Sequence, residues 1–221
     1  MIITLEHPSI KLITCWETLL TGCQKLSTFT SRIESLSKKI QAFSEDVLNP
    51  YFYMSATKGA MKFKGDVFEV FCELIIRLSP IDDRIGISDY HVITDGDTGC
   101  DGHGTFLDGN PATVQCKYRA WDYTLSFFKE HLANFKLTSF MKYGVDPEGS
   151  GKMLILTTGK DLHWKTAARQ FLGNVRVISD DGSYGCIKGA QQHTVDDLFS
   201  LRTIVNDNVV FWDTFREQVG L

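Results

Sequence analysis

The apolar positions of this chain repeat with two periods, one helical and one strand-like, and the two are interleaved. Residues 8–25 carry a weak helical pattern. Ile33, Leu36, Ile40, Phe43 and Val47 then recur at spacings of 3, 4, 3 and 4, with Arg32, Glu34, Lys38, Lys39, Glu45 and Asp46 off the stripe. That is an a/d stripe of barely two repeats, too short for a sustained coiled coil. It predicts a helix that packs on the rest of the chain, with a protein partner or a second copy of the chain as the alternative occupant. Asn49-Pro50 closes this region, because proline disfavours a helical residue before it. Residues 1–50 thus read as a helical N-terminal extension.

The segment 51–64 reads as a connector holding Lys58, Lys62 and Lys64 among aromatics. The broadest apolar face follows over 65–79, where Val67, Phe68, Phe71, Leu74, Ile75 and Leu78 predict a buried helix that Ser79-Pro80 ends. Tyr90 to Thr94 predicts a short strand. Two further strands, entered at Cys100-Asp101 and running through Val114 to Arg119, flank Leu107-Asp108-Gly109-Asn110-Pro111, and Asp-Gly between apolar runs is a hairpin signal. Trp121, Leu125, Phe128, Leu132 and Phe135 give a helix over 120–136. Met153 to Thr158 reads as a buried strand, Asp161 as the N-cap of a helix, and Val175 to Ile178 as another strand. Residues 195–205 are amphipathic, and Phe211-Trp212 reads as an anchor. Strand, helix, strand in this order predicts an α/β protein with a mixed sheet flanked by helices.

Length and composition narrow the picture. With 221 residues, 43% hydrophobic and 12% aromatic, the chain can bury one full core with an added element. No apolar run reaches the roughly 18–20 residues of a membrane helix, and the first residues lack a basic start and an apolar centre, so neither a membrane span nor a signal peptide is expected. Six scattered cysteines form no CxxC pair, which fits buried thiols in a reducing, cytoplasmic setting. A net charge of −4 counts against a non-specific nucleic-acid coat, yet a local basic rim beside metal-binding carboxylates is compatible with it.

The hairpin carries the candidate chemistry. Gln115 and Lys117 are two apart on one strand and share a face, while Val114, Cys116 and Tyr118 share the other. With Asp101 at the entry of the preceding strand, one carboxylate, one amide and one lysine converge. Asp, hairpin, Gln-x-Lys resembles the PD-(D/E)xK nuclease superfamily, most closely its Mrr-like branch, in which Gln commonly stands for the acidic residue. Lys64-Gly65-Asp66-Val67-Phe68-Glu69-Val70-Phe71 resembles that family's first core helix, and the likeness spans roughly residues 64 to 165.

The resemblance implies a restriction-endonuclease-like fold over 51–221 and a magnesium-dependent DNA endonuclease, with manganese able to substitute. It implies Asp101, Gln115 and Glu69 as metal ligands and Lys117 as the residue that orients water or steadies phosphate charge. Glu73, on the same side of the helix as Glu69, and Asp97, in the glycine-rich turn with Asp95, are alternate ligands. Arg119, Lys64, Lys165 and Arg169 are candidate DNA contacts. A catalytically weak DNA-binding or interaction module and a junction resolvase are the competing readings.

Other motifs fall away. Gly144 to Lys152 lacks a glycine at Asp146 and a hydroxyl at Met153, so it is not a phosphate-cradling loop. The turn at Asp95 has no glutamate at the calcium-loop interval. His103, between two glycines, reads as a loop histidine without a role. No Gly-x-Ser-x-Gly elbow is present.

Overall fold

A computed structural model of the chain describes residues 3–11, 13–40, 51, 53–94, 99–119, 130–146, 149–159, 175–181 and 199–221. It divides into two compact units, Met1–Ile75 with Ile204–Leu221, and Ile76–Thr203. The expected N-terminal region over 1–50 lies in the first. The segment 51–221 contributes to both.

In the first unit a 3-10 turn at Pro8–Lys11 leads into helices α1 (Ile13–Leu20) and α2 (Leu26–Ser37). α2 lacks a side-chain cap at Lys25. Its first N–H is met instead from far along the chain, where the Asn206 side-chain carbonyl accepts from Leu26 N at 2.9 Å, so one orphan donor of the helix start is satisfied. The stripe predicted from Ile33 is only partly helical. α2 ends at Ser37, with Leu26, Phe29, Thr30, Ile33 and Leu36 buried, so the buried face is set one turn and more upstream. Ile40 follows in a buried turn, and Phe43, Val47 and Asn49-Pro50 lie outside the described residues.

Helix α3 spans Ala56–Leu78, starting well before the expected Gly65. The lysines read as a connector are therefore helical, and two contacts explain why a glycine-containing polar stretch holds. Lys62 Nζ bonds Asp66 at 2.9 Å, one turn on, and the buried Tyr51 hydroxyl donates to Asp66 Oδ2 at 2.7 Å. A Cβ at Gly59 would press on the Tyr51 carbonyl, so glycine admits that close approach.

Aromatic rings fill the core of the first unit. Phe29 stacks on Phe71 with centroids 5.1 Å apart, and Trp16, Phe211, Trp212 and Phe215 close around them. The C-terminal anchor read from Phe211-Trp212 is buried as expected. It is carried by α6 (Val209–Gln218), after the short α5 (Leu201–Val205).

The second unit is built on a five-stranded sheet in the order β1-β2-β3-β4-β5: β1 Ile87–Val92, β2 Gly102–Phe106, β3 Pro111–Lys117, β4 Lys152–Thr157 and β5 Val175–Ile178. β1 and β2 pair antiparallel, as do β2 and β3, whereas β3–β4 and β4–β5 are parallel. The protein is thus mixed α/β, with a mixed sheet and helices before, within and after it. The edge strand β1 carries a bulge between Ser88 and His91, where Asp89 has a positive φ of 49°, a common way to blunt a sheet edge. Gly102 is needed where it stands, since a Cβ there would strike the Tyr90 ring.

β3 is central, and Ala112 to Cys116 are buried on both faces, which is why apolar and polar positions do not alternate cleanly there. Helix α4 (Glu130–Tyr143) packs on it. Leu132 and Phe135 join Met153, Ile155, Val175, Val177 and Cys100 in one core cluster. α4 runs on to Tyr143, past the predicted end at Lys136. Trp121, Leu125 and Phe128 lie outside the described residues. No described helix is long and apolar enough to cross a membrane.

Candidate functional site

The hairpin brings three of the predicted residues together. β2 and β3 are joined through Leu107 to Asn110. There Gly109 takes a φ of +81°, the Asp108 side chain accepts from Asn110 N at 3.0 Å, and Phe106 N donates to Asn110 O at 2.9 Å. That register sets Gly102 opposite Val114, and the pairing extends one residue further because Asp101 N donates to Val114 O at 2.8 Å. Asp101 therefore faces Gln115 across the two strands.

The Asp101 carboxylate is held by backbone and cation. Its Oδ2 accepts from Cys116 N at 2.6 Å and lies 3.9 Å from Lys117 Nζ. Both side chains are about one-fifth exposed, so the pair sits at the edge of solvent rather than within the core. The neighbouring residue anchors the turn from below: Cys100 is buried, and its Sγ lies 3.6 Å from Ser139 Oγ on α4. Ser139 Oγ in turn lies 2.7 Å from Thr113 Oγ1 on β3. Burial pushes the Cys100 thiol up to about 11, with the Asp101 charge adding to the rise and the Ser139 hydrogen bond opposing it.

Gln115 leaves one end of its amide without a hydrogen-bond partner among the described residues. It is 1% exposed, and its Nε2 donates to the Gly99 carbonyl at 2.6 Å. A carbonyl only accepts, so the NH2 must face Gly99, and the amide oxygen is turned the other way. That Oε1 is buried without a hydrogen-bond partner among the described residues. Buried polar atoms are nearly always satisfied, and an exception asks for a reason. Gly99 has a φ of +77°, a conformation natural to glycine and strained for other residues.

The other predicted residues are placed as follows. Glu69, in the first unit, has its Oε2 3.1 Å from His7 Nε2. His7 Nδ1 accepts from Ser9 N at 3.2 Å, which fixes the proton on Nε2, so His7 donates to Glu69. Glu73 is fully buried, and both its oxygens are taken by backbone: Glu6 N donates to Oε1 at 2.7 Å and His7 N to Oε2 at 3.1 Å. Lys64 pairs with Glu34 at 2.6 Å. Arg119 lies two residues past the end of β3. Asp95, Asp97, Lys165 and Arg169 lie outside the described residues.

His103 is not in a loop. It stands in β2 opposite His91 and stacks on Tyr143 with centroids 4.7 Å apart, because the flanking glycines belong to the strand. Burial and the neighbouring His91 hold its pKa below the usual histidine value.

The arrangement fits a hard divalent cation in its donor types. Such ions prefer oxygen ligands, and Asp101 and Gln115 present a carboxylate and an unpartnered carbonyl oxygen beside a lysine. Among the described residues no group of three or more His, Cys, Asp or Glu side chains able to hold a metal is assembled; an amide oxygen stands outside that set. Sequence reasoning did not find Gly99, Ser139 and Thr113 as supports of this corner, since nothing in their spacing announces a carbonyl acceptor or a hydroxyl chain. No protein-family model, curated protein or solved structure matches this chain significantly.

Proposed function

We propose that this protein is a metal-dependent DNA endonuclease of the PD-(D/E)xK type, Mrr-like, with a restriction-endonuclease-like core and its site at Asp101, Gln115 and Lys117. The observation that supports this most is the buried, unpartnered Gln115 Oε1 on the same hairpin as an Asp101–Lys117 pair 3.9 Å apart. A purely structural amide would have both ends satisfied.

In this reading Asp101 and Gln115 hold magnesium or manganese through their side-chain oxygens. When bound, the cation supplies positive charge against the phosphate and acidifies an attacking water. The chain does the rest. Cys116 N–H holds the Asp101 carboxylate, the Gly99 carbonyl holds the Gln115 NH2 and leaves its oxygen without a partner among the described residues, and Lys117 Nζ donates to a phosphate oxygen or to the attacking water. The attacking water gives up a proton to solvent as its oxygen bonds phosphorus, the opposite P–O bond breaks, and the leaving oxygen takes a proton from solvent. Glu69 enters as a further ligand by resemblance alone, and Glu69→Gln in the same assay reads its part.

The test is cleavage of supercoiled and linear DNA by the purified protein with magnesium, manganese or EDTA, beside Asp101→Ala and Lys117→Ala. Cleavage by the parent alone, and only with metal, supports the reading. Binding of DNA without cleavage under any metal replaces it with the catalytically weak DNA-binding module.

A further inference from the structure

Two consecutive threonines at the end of β4 grip the end of β3 where the candidate site's cations stand. Lys117 pairs with Thr157 across the parallel joint. Thr157 Oγ1 donates to the Lys117 carbonyl at 2.8 Å and accepts from Gly159 N at 3.1 Å. Thr158 reaches the next pair of backbone groups: Arg119 N donates to its Oγ1 at 2.7 Å, and the same hydroxyl donates to the Arg119 carbonyl at 2.8 Å. Both threonines are buried, at 1% and 2% exposure, while Lys117 and Arg119 are partly exposed.

Strand pairing ends at this point: β3 stops at Lys117 and β4 at Thr157, with one last long backbone bond from Thr158 N to the Lys117 carbonyl at 3.4 Å. A chain leaving a sheet normally gains freedom in its first loop residues. Here one hydroxyl closes on both the N–H and the carbonyl of Arg119 and extends the strand's fixed geometry by two residues. A valine would pack as well in a buried strand end, so shape alone does not call for a hydroxyl. The Arg119 guanidinium also bonds back to the Tyr118 carbonyl at 2.8 Å.

We propose that Thr158 is a positioning residue that sets Arg119 as a backbone-phosphate contact for DNA beside the candidate site, with Thr157 holding the Lys117 carbonyl alongside it. This deepens the nuclease reading in its choice of partner, and rests on that reading for DNA as the ligand. Preorganised cations at fixed spacing bind phosphate at lower entropic cost than mobile ones, and each phosphate contact adds about one to the slope of log affinity against log salt.

The experiment measures equilibrium binding of a short fluorescent DNA duplex in EDTA, across a salt series, for the parent, Arg119→Ala, Thr158→Val, Thr158→Ser and the Thr158→Val/Arg119→Ala double variant. Circular dichroism and thermal melts accompany each protein. The expected result is a roughly tenfold loss of affinity in both Arg119→Ala and Thr158→Val, a salt slope lower by about one in each, no further loss in the double variant, and recovery in Thr158→Ser. A threonine that only supports the fold would lower the melting temperature without changing the slope.

Unchanged affinity and slope in a folded Thr158→Val, or a parent that does not bind DNA, overturns the proposal. Should Thr158→Val not fold, Thr158→Ser and Arg119→Ala decide it: both must fold, and only the second may lose affinity. Magnesium added to the same samples separates the two readings. Binding with the expected variants and no cleavage removes the nuclease reading and keeps this one. Cleavage that Thr158→Val leaves intact, in rate and in salt dependence, does the reverse.

Discussion

Glu73 and Gln115 are both buried polar residues, one in each unit, and they end in opposite states. Glu73 is fully buried in the first unit, with each carboxylate oxygen taken by a backbone N–H, from Glu6 and from His7. Nothing about it is left over for a ligand, and its evident work is to tie residues 6–7 to α3. Gln115 lies in the sheet of the second unit with its NH2 tied to Gly99 and its oxygen unpartnered among the described residues. Burial is nearly the same, 0% and 1%, so burial does not distinguish a structural polar residue from a candidate functional one. What differs between the two is the completeness of the hydrogen bonding.

The comparison breaks most sharply at Asp101. Asp101→Asn keeps the shape and removes the charge, and cleavage should fall by about a hundredfold or more, the scale of losing one key electrostatic group. Cleavage within a few-fold of the parent would take the chemistry off this hairpin. Next in size is Glu73→Ala. His7 N, which is buried, and Glu6 N, on an exposed residue, lose their acceptor; at about 1–3 kcal/mol for a buried unsatisfied group, urea unfolding should show a stability loss of about 2 kcal/mol. A loss below about 0.5 kcal/mol would mean the clamp is idle.

Gln115→Met sharpens the contrast from the other side. It forfeits the Gly99 bond, about 1 kcal/mol of stability, and should nevertheless cut the cleavage rate by roughly tenfold or more at limiting magnesium, with rising magnesium failing to restore it fully. A rate that follows stability alone would place Gln115 with Glu73. The smallest effect comes from Cys100. Its folded value of about 11 stands above the ordinary 9.0, so the unfolded chain gives up the proton first. The stability this group contributes is fully present below pH 9.0 and is lost as pH rises towards about 11, a decline of about 1 kcal/mol by mid-window. The difference between parent and Cys100→Ala unfolding curves in alkaline buffer isolates it, and parallel curves would refute it.

Much of the second unit was legible in the sequence because its signals are local. Asp108-Gly109 between apolar runs fixed the hairpin, the two-residue period put Gln115 and Lys117 on one face, and Met153 to Thr158 announced a buried strand by its uniform apolarity. Where the sequence misled, long-range contacts had overridden local preference. The stretch 51–64 read as a connector, but Tyr51 and the Lys62–Asp66 pair support α3 from Ala56 through Gly59 and Gly65. α2 begins at Leu26 because Asn206, far along the chain, supplies the missing acceptor. Gly102 and Gly104 read as a loop around His103, but they are strand residues that leave room for Tyr90 and Ile87. Glu69 and Glu73 look alike in the helical pattern, and only their partners in the N-terminal segment tell them apart. The grip of Thr157 and Thr158 was hidden for the same reason, since a hydroxyl in an apolar run carries no mark of what it bonds.

The most direct measurement is nicking of supercoiled DNA by the parent and by Lys117→Ala, each confirmed folded by its melt, with magnesium and with EDTA. The account predicts nicked product from the parent with magnesium only and a loss of about a hundredfold or more in Lys117→Ala. Nicking that persists in EDTA or in Lys117→Ala, or a folded parent that gives no nicked product with magnesium, contradicts it.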